Sequence, residues 1–152
     1  MAKAVRSVRR IAGGVHRDAR GTVCFVNDFD FSRVDRFYTV KPSRVGELRG
    51  WVGHRRDWKW FYVARGTFDI GVVKVSDCAA PDRTAPVECF RLEAESPAVL
   101  EVPPGYFTAS RSRSRGAILT VFSSGKIESA RTDDFRQPAD FWKLPRTTAK
   151  RQ

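Results

Sequence analysis

The sequence predicts an all-β jelly roll with little helix, and three observations carry that reading. Short β-branched and aromatic runs recur between clusters of Gly, Pro, Asp and Ser, which is the spacing of strands in a sandwich or barrel. No ten-residue window shows an apolar stripe at i, i+3, i+4 and i+7, so amphipathic helix is not a main element. The chain has 152 residues, 41% of them hydrophobic, enough to build one core without disulfide or metal staples.

In chain order, strands are expected over 22–26, 34–40, 47–52, 59–64, 67–75, 87–92, 99–102, 106–110 and 117–122, because each run is rich in Val, Ile, Thr, Phe, Tyr or Trp and bounded by turn formers. Arg65-Gly66 falls between two runs and predicts a hairpin turn in which the glycine takes the positive φ. Asp, Pro and Ala make 77–86 a loop. Helix is confined to a short turn near 133–136 or 139–142. In the run that starts at Lys59, alternation puts Lys59, Phe61 and Val63 on one face and Trp60 and Tyr62 on the other. Both faces are apolar, so one should line the barrel and the other should be covered by a second sheet or subunit, which makes a homodimer the expected assembly.

The formal net charge is +11, but residues 1–20 contribute +5 and residues 143–152 contribute +4. The body between them carries only +2 and is nearly balanced. This predicts a domain over 12–142 between basic tails at 1–11 and 143–152, and argues against nucleic acid as the partner. Arg111, Arg113 and Arg115 alternate with serine and read as a solvated sheet edge that discourages pairing. Cys24, Cys78 and Cys89 are odd in number and lack CxxC spacing, which fits a reducing cytoplasm better than a disulfide framework or a zinc knuckle. The start of the chain has no apolar signal region, and no stretch of eighteen apolar residues predicts a membrane span.

The segment Arg49-Gly50-Trp51-Val52-Gly53-His54 concentrates candidate chemistry. His54 is one of two histidines, and its imidazole titrates near neutrality, so it is the candidate general base. His16 lies in a polar turn and reads as a surface residue. A His-x-His pair followed by a nearby glutamate, the spacing expected of a metal-binding jelly roll, is missing around His54, so no protein-bound metal and no cofactor are expected.

That segment, followed by Lys59-Trp60-Phe61-Tyr62-Val63-Ala64-Arg65-Gly66, resembles the cupin family of nucleotide-sugar epimerases and ketoisomerases. These are the dTDP-4-dehydrorhamnose 3,5-epimerase-like and WxcM-like sugar 3,4-ketoisomerase proteins. Further matches run through residues 13–21, Val102-Pro103-Pro104-Gly105-Tyr106 and Asp133-Asp134-Phe135-Arg136, so the resemblance spans roughly residues 12–142 in order. It implies a metal-free cupin dimer acting on a dTDP-linked 4-keto-6-deoxy sugar in surface polysaccharide assembly. By position, Arg49 corresponds to a phosphate-facing arginine and Lys59 to a lysine that stabilises an enolate oxygen. With His54 as base, Tyr106 or Tyr38 is the candidate acid, and Arg20, Arg36, Tyr38 and Trp51 join Arg49 as candidate substrate contacts. Val52 stands where the family's catalytic histidine falls, and no tyrosine occurs at 123–126, where the epimerases carry their acid. A second expectation follows: a cupin that binds carbohydrate or nucleotide sugar without turning it over.

Overall fold

The computed structural model describes residues 6–146. Twelve strands are described: β1 (Arg9–Ala12), β2 (Gly14–Asp18), β3 (Gly21–Phe25), β4 (Arg36–Val40), β5 (Leu48–His54), β6 (Lys59–Arg65), β7 (Thr67–Lys74), β8 (Glu88–Glu93), β9 (Ala98–Val102), β10 (Tyr106–Ser112), β11 (Ile118–Ser123) and β12 (Phe135–Arg136). Helix is limited to a 3-10 turn at Phe31–Arg33 and a single turn, α1 (Ile127–Ala130), rather than the expected 133–136 or 139–142. All nine expected strands form. β1, β2 and β12 are additional: two are short and the third, β2, is a polar arm, so none has an apolar run to announce it.

The strands make two antiparallel five-stranded sheets, ordered β1-β9-β6-β11-β4 and β12-β5-β10-β7-β8, and a separate β2-β3 hairpin. Directly opposed residues share a face, so the registers decide what lines the barrel. From the first sheet Phe61, Val63, Leu100, Leu119 and Val121 point inward, and from the second Phe68, Ile70, Val72, Leu92 and Tyr106 meet them in one buried cluster. The alternation expected of β6 is seen, since Trp60 packs outward with Ile11, Phe29 and Val99. Outside the second sheet, Trp51, Val73, Phe107 and Ala109 are covered by the chain's own C-terminal segment through Trp142 and Leu144. Backbone bonds between Trp51 and Gln137, and the Trp51 indole N–H donating to the Trp142 carbonyl at 3.1 Å, hold that segment down.

At the two ends of the described residues, β1 pairs with β9 and Leu144 is buried. The tail residues 1–5 and 147–152 lie outside the described residues. Arg111 does not lie on a sheet edge, since β10 is paired on both sides; it and the exposed Arg113 lie within 3.7 Å of the fully buried Asp69, which also pairs with Arg91, while Arg115 is exposed beyond the end of β10. The Arg65-Gly66 turn forms with Gly66 at φ +77°. A Cβ there would stand 2.2 Å from the Ser114 hydroxyl, so Gly66→Ala should lower stability by about 1–2 kcal/mol, read from the midpoint of urea unfolding.

Candidate functional site

One end of the barrel gathers polar side chains on an otherwise apolar lining. Across β4, β11 and β6, Arg36, Ser123 and Lys59 are directly opposed and so share the inner face. Tyr38 lies two residues further along that face. From the other sheet, β5 contributes Arg49, Val52 and His54. Simple alternation would turn Arg49 away from His54, but the register against β10 slips between Thr108 and Ala109: Arg49 opposes Ser110, while Val52 opposes Thr108. This β-bulge brings Arg49, Val52 and His54 to one face and sends Trp51 to the other. Gly50 permits it, with φ +125° and no room for a Cβ against the Thr108 carbonyl.

His54 is buried, and its Nδ1 lies 2.7 Å from the Asp133 carbonyl. A carbonyl only accepts, so Nδ1 carries the proton and Nε2 keeps its lone pair. Nε2 makes no hydrogen bond among the described residues. Burial lowers the His54 pKa below 6.5, and the Lys59 charge lowers it further. The imidazole is thus held neutral with the form of a base. The side chain of Asp133 acts separately from its carbonyl. Its carboxylate accepts the backbone N–H groups of Arg55, Arg56 and Asp57, fixing the turn that follows His54.

That turn delivers Asp57, whose carboxylate lies 3.0 Å from the Lys59 ammonium, both side chains 7% exposed. Ser123 Oγ, Ser124 Oγ and the Gly125 N–H donate to the same carboxylate at 2.7, 2.9 and 2.7 Å. Burial pushes the Asp57 pKa up, but these donors and Lys59 outweigh it, so the net shift is downward. Burial is also the largest influence on Lys59 and lowers it, with Asp57 acting in opposition. Lys59 donates to Ser123 Oγ at 3.2 Å and sits 5.6 Å from the centre of the Tyr38 ring. Arg36 donates to the Gly125 carbonyl and lies 5.4 Å from the centre of the same ring. Burial raises the Tyr38 pKa, so its phenol remains a proton donor at neutral pH.

Of the candidates read from sequence, His54, Lys59, Tyr38, Arg36 and Arg49 come together. Three do not. Trp51 is fully buried outside the second sheet, because the bulge reverses its direction. Tyr106 opposes His54, but its ring belongs to the apolar barrel core, and the groups that act on its hydroxyl are Glu88 and the Val8 backbone, not Lys59. Arg20 sits at the tip of the β2-β3 hairpin, 88% exposed and paired with Asp18 at 2.7 Å. His16 is exposed on the same hairpin, as expected. Sequence reading missed Asp57, Ser123 and Asp133. Asp57 had a signal, standing two residues before Lys59, and Asp133 had one in the matched segment Asp133-Asp134-Phe135-Arg136; Ser123 arrives from a distant segment and had none. Among the described residues, no group of three or more His, Cys, Asp or Glu side chains could hold a metal ion. No described helix is long and apolar enough to cross a membrane.

No protein-family model and no curated sequence matches the chain. Solved structures do. A mutant form of the 3,4-ketoisomerase QdtA from Thermoanaerobacterium thermosaccharolyticum, in complex with TDP-4-keto-6-deoxyglucose, superposes with a TM-score of 0.69 at 18% identity, over 90% of this chain and 92% of that one. The fold is the cupin jelly roll of these enzymes. A dTDP sugar isomerase from Desulfovibrio desulfuricans G20 gives the cupin a TM-score of 0.72 at 13% identity over 93% and 91% of the two chains. The rmlC epimerase of Mycobacterium tuberculosis gives 0.69 at 16% identity over 88% of this cupin and 70% of the epimerase.

If His54 is the base of this cupin, the acid side of its pH profile for proton abstraction should have a midpoint below 6.5, because the native imidazole resists protonation. Lys59→Met should move that midpoint upward by removing the nearby charge. The same shift is linked to folding: as pH falls below 6.5 the unfolded chain takes up this proton before the native one, so the His54 contribution to stability becomes unfavourable.

Proposed function

We propose that this cupin is a sugar-nucleotide epimerase or ketoisomerase, acting on a dTDP-linked 4-keto-6-deoxy sugar whose product enters a surface polysaccharide. The observation that carries the reading is the neutral His54 with a free Nε2 in the same barrel mouth as the Lys59 ammonium. A carbon acid α to a ketone needs that combination. Nε2 takes the proton, the C–H electron pair moves to the keto oxygen as an enolate, and Lys59 balances the charge formed. Returning the proton to the opposite face gives the epimer; moving a proton from the neighbouring hydroxyl to the enolate oxygen, and delivering the abstracted proton to the former carbonyl carbon, shifts the ketone. Tyr38 is placed to relay such a proton, and Arg49 and Arg36 suit the diphosphate.

Support for the substrate class comes from the neighbours crystallised with TDP-4-keto-6-deoxyglucose and with dTDP-quinovose. The assembly we propose is a homodimer. The β2-β3 hairpin is solvent-exposed along most of its length and presents Val23 and Phe25, an apolar face suited to a second copy. Three free cysteines suit a cytoplasmic setting.

The test is incubation with dTDP-4-keto-6-deoxyglucose in deuterated water, followed by mass spectrometry and proton NMR. Deuterium is expected at C3, C5 or both on epimerisation, and at C4 on keto migration. Val52, half-buried on the inner face in the register opposite Thr108, favours a second reading, a binding cupin without turnover. Saturable binding with no deuterium incorporation would establish that one and reject catalysis.

A further inference from the structure

A polar cavity lies at the end of the barrel away from His54 and Lys59. It encloses about 320 Å³ between the β4–β5 and β10–β11 loops, and its walls include Ser43, Arg44, Ser112, Ser114, Arg115 and Gly116. Arg65 adds a third cation, since its guanidinium atoms come within 3.7–3.9 Å of where a Gly116 side chain would begin. Among the described lining residues there is no carboxylate, and the nearby Glu47 is engaged by Ser43 Oγ at 3.0 Å and Arg44 Nε at 3.7 Å. Arg65 and Arg115 make no ion pair among the described residues.

The remaining groups are also donors. Ser114 Oγ accepts the Thr67 N–H at 2.9 Å, which leaves its own hydrogen free to be donated. The N–H groups of Arg115 and Gly116 bond to no backbone carbonyl among the described residues, and Gly116 has φ +66°, the positive φ found where successive N–H groups form an anion-binding turn. Converging guanidinium, hydroxyl and amide donors with one committed carboxylate recognise an anion rather than a sugar or a cation. The volume is at the lower limit for ligand pockets, which suits a small molecule.

We infer that this cavity is a second ligand site, separate from the barrel mouth, for a small phosphate-bearing anion. Arg44 and Arg115 clamp the phosphoryl oxygens from the two loops, and Ser114 and the 115–116 amides complete the cradle. Titration of the full chain with inorganic pyrophosphate, followed by calorimetry and phosphorus NMR at fixed salt, tests it. In an Arg49→Ala background, which removes a diphosphate contact proposed for the mouth, one saturable site is expected, weakened about tenfold or more by Arg115→Ala and by Arg44→Ala. Lys126→Ala, a charge removed elsewhere on the surface, should leave it unchanged. Absence of saturable binding in that background overturns the inference and assigns any binding by the parent chain to the mouth. Equal weakening by Lys126→Ala, which marks nonspecific charge attraction, overturns it as well.

Discussion

Replacing His54 with asparagine is expected to reduce solvent-deuterium incorporation into dTDP-4-keto-6-deoxyglucose by about 10²–10⁴-fold, the range that a positioned general base contributes. Asparagine is the informative choice because its amide can still donate to the Asp133 carbonyl, which His54 Nδ1 approaches to 2.7 Å. The hydrogen bond is preserved while the basic nitrogen is lost. Thermal unfolding should shift little, and dTDP affinity should change less than threefold, since the diphosphate contacts proposed are Arg49 and Arg36. Exchange that continues within about threefold of the parent rate would remove His54 from the base role.

Asp57→Ala is expected to cost about 3–5 kcal/mol, the usual penalty for stripping one partner from a buried ion pair. Lys59 would remain 7% exposed with no counter-charge, and the donors Ser123, Ser124 and Gly125 would lose a shared acceptor. Urea unfolding at neutral pH checks this. Asp57→Ala combined with Lys59→Met should recover much of the loss, because the unpaired charge is then gone. If the single variant falls by less than about 1 kcal/mol, the pair is better solvated than its burial implies.

The fold was legible because strand patterning is local. β6 announces itself through Lys59, Phe61 and Val63 against Trp60 and Tyr62, and the structure keeps that division. Short β1 and β12 are held by neighbours distant in sequence rather than by their own composition, and so were not readable. At the site, residue type found His54, Lys59, Tyr38, Arg36 and Arg49. Residue type could not find direction. Trp51 failed as a candidate because a one-residue register slip against β10 reverses it, and although Gly50 permits the bulge, the partner register that places it is set by β10. The role of Asp133 was unreadable for a related reason: its backbone carbonyl, not its side chain, selects the His54 tautomer.

The register slip at Gly50 also changes what the strand can withstand. Strand β5 is geared to two layers at once, with Arg49, Val52 and His54 meshing with the lumen and Trp51 with the C-terminal strap. Substituting one tooth alters one contact. Deleting Trp51, the residue with no partner on β10, would straighten the strand and keep Arg49, Val52 and His54 on the lumen side, while the strap would lose the indole that holds it. The lumen and the strap are therefore separate demands on this strand, one met by its paired residues and the other by its odd one.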